Sequence, residues 1–365
     1  MTTNFDQNLE QYALLAVKVG LNLQPDQRLI VRAPLESAEL VRAISKVAYD
    51  VGCRYVDVLY SDEQLEIIRF EHAPRDSFEE YPAWRINGLT KRAEQGDAFL
   101  RISADNPDLL KGQDSNLISL TRNIESEISQ PLLSYITKMA VNWCVISAAV
   151  EPWAQRVFPE ATESEQVSLL WDAIFQMCRI DAEDPIVAWK EHIDRLEQRR
   201  EYLTKKAYTA LHYTAPGTNL TIGMPDGHIW RGGIDRSDAG TVFVPNLPTE
   251  EVFTMPHCRR TDGTVRATKP LNYGGSLIEE FSVTFNAGRI VEAHAEKGEE
   301  ILRNLLSTDK GAARLGEIAL VPHSSPISQF GRLFYNTLFD ENASNHVALG
   351  QAYKVCLQNG AAMEE

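Results

Sequence analysis

The first half of the chain alternates short apolar runs with longer segments whose apolar residues recur at helical spacing. The short runs predict strands at residues 27–32, 55–60, 98–103 and 142–147. The longer segments predict helices at 8–21, 36–51, 63–72, 78–95, 116–139, 163–178 and 185–207. Strands that alternate with helices imply crossover connections. We therefore predict an α/β N-terminal domain with a mostly parallel, Rossmann-like sheet.

The pattern changes at about Tyr208, where short strand-like runs replace the helices. They are separated by Gly, Pro and Asp turns, and they lie at 210–214, 219–222, 240–244, 264–268, 281–285 and 289–293. One further helix is predicted at 298–306. We therefore predict an α+β C-terminal domain rich in antiparallel strands. The expected domains are 1–205 and 206–365, and the charged helix 185–207 connects them.

Charge and cysteine usage narrow the classes of function. The 365 residues carry a net charge of −15, which argues against nucleic-acid or anionic-membrane partners. The five cysteines are widely spaced and form no Cys-x-x-Cys, which is typical of reduced thiols. The N-terminus lacks the basic and apolar regions of a signal peptide, and no apolar run approaches the roughly 18 residues of a membrane span. We expect a cytoplasmic protein.

Several common catalytic and binding fingerprints are missing from the sequence. Neither Gly-x-Gly-x-x-Gly nor a P-loop occurs, so the predicted parallel sheet need not bind a nucleotide. Serine hydrolysis is disfavoured because Gly-x-Ser-x-Gly is absent. Cysteine catalysis is disfavoured because Cys144 and Cys356 lie in apolar stretches.

The densest candidate chemistry lies near the end of the chain. An apolar run up to Phe339 is followed within seven residues by two carboxylates, two asparagines and a histidine, and these include Asp340, Glu341 and His346. Buried carboxylates and imidazoles must be paired or bind metal. Carboxylate and imidazole ligands suit zinc, cobalt or manganese, so the cluster suggests a hydrolytic metal centre. The alternative is a polar network that ties strands together.

Two pairs of adjacent acids leave a choice open. Glu250 and Glu251 lie at the predicted start of a strand, where neighbouring side chains point to opposite faces, so one of the two can face a site. Position alone does not say which. In the second pair, either Asp340 or Glu341 can bind a metal while the other caps or braces the turn.

Three further candidates also have ordinary structural interpretations. Glu317 opens an apolar strand, where it could bind metal or pair with Arg314. His346 could be a satisfied core histidine. Tyr353 could be a core residue, and its seven-residue spacing from His346 would place the two on one face of a helix.

Four segments together resemble the thermophilic-type metallo-aminopeptidases, which include aminopeptidases T, S and II. The segments are NLPTEEVFT (246–254), DGTVRATKPLNYGGSLIEEF (262–281), GEIALVPHSSPIS (316–328) and LFDENASNHVALGQAY (338–353). The resemblance implies a cytoplasmic, homodimeric hydrolase of two domains. It also implies release of N-terminal amino acids from peptides with a free N-terminus, through a metal-activated water at a dinuclear site. The two divalent ions would be cobalt, zinc, manganese or magnesium.

The resemblance also assigns residues. By motif, the metal ligands are Glu251, Glu317, Glu341 and His346, and the catalytic residues are Glu317 and Tyr353. The family pattern continues after the tyrosine with two more ligands in a His-x-Asp segment, whereas this sequence stops at Glu365. We therefore expect a C-terminal domain that is cut short. The alternative function is a catalytically impaired homodimer that binds metal or peptide.

Overall fold

The computed structural model describes residues 2–273 and 276–363. Gly274 and Gly275 of the second resembling segment, and Glu364 and Glu365, lie outside the described residues. The chain divides into two compact units. Unit 1 comprises Met1–Glu191 with Ile234–Pro248, and unit 2 comprises His192–Gly233 with Thr249–Glu365.

The strands alternate with helices in the first half of the chain and follow one another closely in the second. In chain order they are β1 Arg28–Pro34, β2 Tyr55–Ser61, β3 Ala98–Ser103, β4 Trp143–Ser147, β5 Ala210–Ala215, β6 Thr218–Gly223, β7 Asp235–Arg236, β8 Val242–Phe243, β9 Val252–Thr254, β10 Thr261–Arg266, β11 Leu271–Tyr273, β12 Ser276–Ile278, β13 Ser282–Asn286, β14 Arg289–His294, β15 Leu315–Leu320 and β16 His346–Leu349.

The α-helices are numbered along the chain in the same way. They are α1 Thr2–Leu15, α2 Ala38–Asp50, α3 Glu63–His72, α4 Ala83–Glu94, α5 Ser115–Thr137, α6 Glu151–Val157, α7 Glu163–Met177, α8 Pro185–Lys206, α9 Glu299–Leu306, α10 Pro326–Phe330 and α11 Thr337–Asp340. A π-helical turn, Ala16–Gly20, extends α1, and short 3₁₀ helices include Arg75–Glu79 and Glu341–Ala343. Within the described ranges, none of the helices combines the length and the apolar character that crossing a bilayer requires.

Unit 1 contains the parallel sheet that the sequence predicts. Its four strands lie in the order β2-β1-β3-β4, and every neighbouring pair is parallel. The central strands β1 and β3 are buried along most of their length because helices cover both faces of such a sheet. The α/β prediction for the N-terminal domain is confirmed.

One predicted helix in unit 1 is wrong. The sequence pattern predicted a continuous helix over residues 78–95, but the structure has a 3₁₀ helix at Arg75–Glu79 and then α4 from Ala83. Pro82 separates the two. A proline disfavours helical backbone at the residue before it and supplies no N–H for the preceding turn, so the helix begins after the proline.

Unit 2 is α+β and mostly antiparallel, as predicted. Five strands form an antiparallel sheet in the order β14-β13-β10-β6-β5. A second antiparallel sheet has the order β16-β15-β9. The core of unit 2 takes residues from both sheets and from α8, among them Leu196, Leu220, Val252, Phe285 and Ile318.

The compact units divide the chain elsewhere than at the expected boundary between residues 205 and 206. The division falls at Glu191, inside α8, because the second half of that helix packs on unit 2 through Leu196. Residues 234–248 return to unit 1, where Val145 of β4 pairs with Asn246. The change from helical to strand pattern near Tyr208 therefore marks a change of secondary structure within unit 2.

Candidate metal centre

The sheet β16-β15-β9 places the predicted acids and the histidine on one face. Ala319 at the centre pairs with His346 on one side and with Phe253 on the other. Paired residues share a face, and so do residues two apart on a strand. Glu317 therefore lies on the face of Ala319, and Glu251 lies on the face of Phe253. This face brings together an imidazole and two carboxylates from three chain segments.

The opposite face of the same sheet is apolar. Val252, Ile318 and Val347 occupy the alternate positions, and all three belong to the hydrophobic core of unit 2. The alternation also resolves the choice between the adjacent acids at the start of β9. Glu251 faces the imidazole, whereas Glu250 is buried beside His192, with 3.7 Å between Glu250 Oε2 and His192 Nε2.

A β-bulge at Gly316 determines which way Glu317 points. Leu315 pairs with Leu349, but Glu317 pairs with Ala348, so the register shifts by one residue between them. In a regular strand, residues 315 and 317 would share a face. The extra residue lets Leu315 enter the core while Glu317 turns to the polar face.

The residue at this bulge has to be glycine because of a close backbone contact. A Cβ atom on Gly316 would lie 2.3 Å from the carbonyl oxygen of Gln351 and 2.7 Å from that of Gly350. Both distances are far below normal carbon–oxygen contacts. The bulge therefore depends on the missing side chain, and the orientation of Glu317 depends on the bulge.

The three donor groups converge closely. His346 Nε2 lies 3.0 Å from Glu251 Oε2 and 3.7 Å from Glu317 Oε1. One donor atom from each residue lies within 4.8 Å of the other two. The other ring nitrogen of His346, Nδ1, lies 3.1 Å from the carbonyl oxygen of Ser344. A carbonyl oxygen only accepts, so Nδ1 carries a hydrogen and Nε2 is the atom directed at the carboxylates.

This arrangement fits a metal cation. Within the described residues, Glu251 Oε2 and His346 Nε2 are buried and make no hydrogen bond of proper geometry, although they face each other. Metal-bound histidines typically donate the other ring N–H to a carbonyl or carboxylate, as His346 does to Ser344. Oxygen and imidazole donors suit zinc, cobalt and manganese. The donor set and its unsatisfied atoms therefore match a divalent ion.

The pKa values of the site residues also indicate that the site favours positive charge. Burial lowers the pKa of His346, but Glu251 and Glu317 outweigh it and raise the pKa to about 11. Burial, reinforced by the charge of Glu251, raises the pKa of Glu341 to about 8. Protons therefore occupy a position where a bound cation would replace them.

The second pair of adjacent acids divides its roles. Asp340 accepts hydrogen bonds from the backbone N–H groups of Phe334 at 2.7 Å and Asn336 at 3.1 Å, so it braces the turn before α11. Burial raises the pKa of Asp340 to about 6. Glu341 lies close enough to Glu251 for their charges to interact, but outside the three-residue group. The structure thus brings three of the four predicted ligands together and places Glu341 beside them.

Tyr353 lies near the acids, although the secondary structure that places it there differs from the one expected. The helical spacing of His346 and Tyr353 is wrong, because His346 begins β16 and Tyr353 follows that strand. The ring of Tyr353 packs against Phe253, with 6.0 Å between centroids. Burial, followed by the charges of Glu317 and the other acids, raises the pKa of Tyr353 to about 12. Its phenol therefore stays protonated at neutral pH.

Sequence reasoning missed two residues that support the site: Gly316 forms the bulge, and Phe253 contacts Tyr353. Asn342 satisfies a backbone group, as its position in the turn predicts, because it accepts a hydrogen bond from the backbone N–H of Glu250. A glycine directly before an acid in an apolar strand is the one signal that could have been found. Arg314, the alternative partner of Glu317, instead donates to the carbonyl oxygen of Cys258 at 2.6 Å.

Comparison with known proteins identifies the family of the chain. The family model "Thermophilic metalloprotease (M29)" matches residues 5–365. Aminopeptidase 2 of Geobacillus stearothermophilus is 49% identical over 361 residues, which cover 99% of this chain and 87% of that protein. Aminopeptidase AmpS of Bacillus subtilis is 45% identical over 99% of this chain and 88% of that protein.

A solved structure gives the same result for the fold. The structure titled "Wild-type AmpT from Thermus thermophilus" superposes with a TM-score of 0.93 at 42% identity, and it covers 98% of this chain and 89% of that chain. The resemblance noted in the sequence is therefore confirmed over its whole length. The chain belongs to the thermophilic metalloprotease (M29) family, as a metal-dependent aminopeptidase.

Proposed function

We propose that this protein releases N-terminal amino acids from peptides through a water molecule activated at a dinuclear metal site. The observation that carries the proposal is the convergence of His346 Nε2 with carboxylate oxygens of Glu251 and Glu317 within 4.8 Å. Glu341 is proposed as the fourth ligand because its charge interacts with Glu251. Carboxylates can bridge two ions, which supports a pair of metals at so acidic a centre.

The metals proposed are cobalt, zinc, manganese or magnesium, all of which accept oxygen donors. When bound, such ions supply a Lewis acid for the scissile carbonyl and a water of lowered pKa. The residues of the chain orient the ligands and transfer the protons. The backbone carbonyl oxygen of Ser344 accepts a hydrogen bond from the Nδ1–H of His346. This bond orients Nε2 before any ion binds.

Glu317 and Tyr353 are proposed as the catalytic residues. Glu317 accepts the proton of the attacking water, since its carboxylate lies on the polar face beside His346. Tyr353 donates its phenolic hydrogen to the oxyanion that develops on the carbonyl oxygen, and its raised pKa of about 12 keeps that hydrogen in place. The acidic face also attracts the α-ammonium group of a free N-terminus, which explains a preference for unblocked peptides.

We further propose that the protein acts as a cytoplasmic homodimer. The cytoplasmic part rests on the five cysteines, which form no disulfide among the described residues, as is typical of reducing compartments. The dimer rests on the family resemblance. Light scattering after size-exclusion chromatography tests it, and a mass of about 41 kDa would contradict it because one chain has a mass of 41.0 kDa.

The function is tested with EDTA-treated protein to which Co²⁺, Zn²⁺, Mn²⁺ or Mg²⁺ is added singly. An unblocked tetrapeptide should lose its N-terminal residue, and the same peptide with an acetylated N-terminus should remain intact. Absence of turnover with every metal would contradict the proposal. Tight metal binding without turnover would instead support a catalytically impaired metal-binding protein.

A further inference from the structure

We infer that Asn342 is a positioning residue, which sets the distance between the ligands Glu251 and Glu341. The inference rests on the proposed function of the metal centre. Asn342 is completely buried and directly follows Glu341 in a 3₁₀ helix. Its side chain reaches the backbone of Glu250, the residue directly before Glu251.

Both polar groups of the Asn342 side chain are engaged. Oδ1 accepts a hydrogen bond from the Glu250 N–H at 2.7 Å, and Nδ2 donates to the carbonyl oxygen of Leu338 at 3.0 Å. The Ser325 hydroxyl donates to the backbone carbonyl of Asn342 at 3.3 Å. A buried amide with both groups satisfied has a single orientation, so its position is fixed.

The need for such a link follows from where the four proposed ligands lie. Glu317 lies within β15 and His346 begins β16, so the ladder between these strands fixes their separation. Glu251 directly precedes β9, and Glu341 lies in the 3₁₀ helix, outside any strand. The hydrogen bond from Glu250 to Asn342 spans 92 residues of sequence and joins these two irregular segments.

The bond also controls which way Glu251 faces. The side chain of Glu250 is buried beside His192, and its N–H is held by Asn342. With the backbone N–H and the side chain of Glu250 both held, the next side chain is directed to the polar face of the sheet. Loss of the Asn342 acceptor would leave a buried N–H unsatisfied, and the segment would shift to find another partner.

The test compares three variants with the wild-type protein. Asn342→Ala removes both side-chain hydrogen bonds. Asn342→Asp keeps an acceptor oxygen for the Glu250 N–H but not the amide donor to Leu338. Asn142→Ala is the matched control. Asn142 is a buried asparagine of unit 1 whose Oδ1 accepts a hydrogen bond from Gln27 and whose Nδ2 donates to the carbonyl oxygen of Leu21.

Four quantities are measured for each protein: the Kd for Co²⁺ by calorimetry after EDTA treatment, the Tm without metal, and kcat and KM on an unblocked peptide. We expect Asn342→Ala to raise the Kd about 10- to 100-fold, the range found when groups that orient metal ligands are removed. Asn342→Asp should keep the Kd within about threefold, as the retained acceptor requires. Asn142→Ala should lower the Tm and leave the Kd unchanged, because Asn142 lies in unit 1 and the proposed ligands lie in unit 2.

Two results would overturn the inference. One is a wild-type Kd in Asn342→Ala together with a lowered Tm, because Asn342 would then be structural only. The other is a tenfold higher Kd in Asn342→Asp, which decides the question even if Asn342→Ala does not fold. If the wild-type protein binds no Co²⁺, the proposed metal function itself fails, and the inference fails with it.

Discussion

Replacing Gly316 by alanine should disturb the metal centre while unit 2 remains folded. The added Cβ would lie 2.3 Å from the Gln351 carbonyl oxygen, whereas carbon–oxygen contacts of about 3.3–3.6 Å are normal. The neighbouring backbone therefore has to move by roughly 1 Å. Either β15 and β16 separate near the bulge, or the bulge disappears and Glu317 turns towards the core.

Both rearrangements should lower the stability moderately and the activity more strongly. Overpacking a well-packed site typically costs about 1–3 kcal/mol, which leaves most domains folded. A displacement of about 1 Å at a reacting group can reduce the rate about a hundredfold. We therefore expect Gly316→Ala to lower kcat/KM by about two orders of magnitude while the protein remains folded at 25 °C.

The assay measures kcat/KM on an amino-acid p-nitroanilide with saturating Co²⁺, together with the Tm and the far-ultraviolet circular dichroism. Gly88→Ala is the matched control, because a Cβ on Gly88 meets no atom within 4 Å and the residue lies inside α4. That variant should be about 0.5–1 kcal/mol more stable than wild type. If Gly316→Ala keeps kcat/KM within threefold of wild type, the bulge does not orient Glu317.

Three further predictions follow from the site. Glu317→Gln should lower kcat by about 10²–10⁴-fold because the proposed base is lost. A residual rate that does not depend on pH in steady-state assays would support this role, and an unchanged kcat would contradict it. Phe253→Ala should remove the ring that packs on Tyr353, and kcat should fall about tenfold with little change in KM, a split that Michaelis–Menten kinetics would detect. Finally, stability of the metal-free protein should fall as pH rises. The folded pKa of Glu341, about 8, exceeds the ordinary value of 4.5, and that of His346, about 11, exceeds 6.5. Each group's contribution is therefore complete below its ordinary pKa and is lost as pH approaches the folded pKa. Urea unfolding at pH 6, 7 and 8 should show a loss on the order of 1 kcal/mol per pH unit, and a stability that rises with pH would refute the assignment.

Local patterns predicted most elements because they depend on neighbours in sequence. The strand at 98–103 has the predicted bounds, and α3 has the predicted range of 63–72. The break at Pro82 was missed because helical periodicity continues across it and only the backbone restriction of proline interrupts it. Sequence spacing is thus a good guide wherever burial and backbone preference agree.

The candidate site was predictable by residue type and motif, but its geometry was not. Helical spacing was assumed for His346 and Tyr353, whereas pairing with β15 makes residues 346–349 a strand. That pairing is a contact between distant segments, which no local pattern records. The bulge at Gly316 has the same origin, because its need for glycine arises from the backbone of residues 350 and 351. Motifs can identify the donors, but tertiary contacts determine how those donors meet.

The carboxylates of this centre repel one another, and a bound cation would relieve that repulsion. Glu251, Glu317 and Glu341 lie close together on a half-buried face, and desolvation with like charge keeps a proton on Glu341 near neutral pH. His346 holds a further proton for a different reason: burial lowers its pKa, but Glu251 and Glu317 outweigh that effect. A divalent ion held by these residues would replace both protons and supply the opposite charge, so its binding would restore charge balance. The same acidity would supply affinity for a divalent metal and would attract the ammonium group of a peptide.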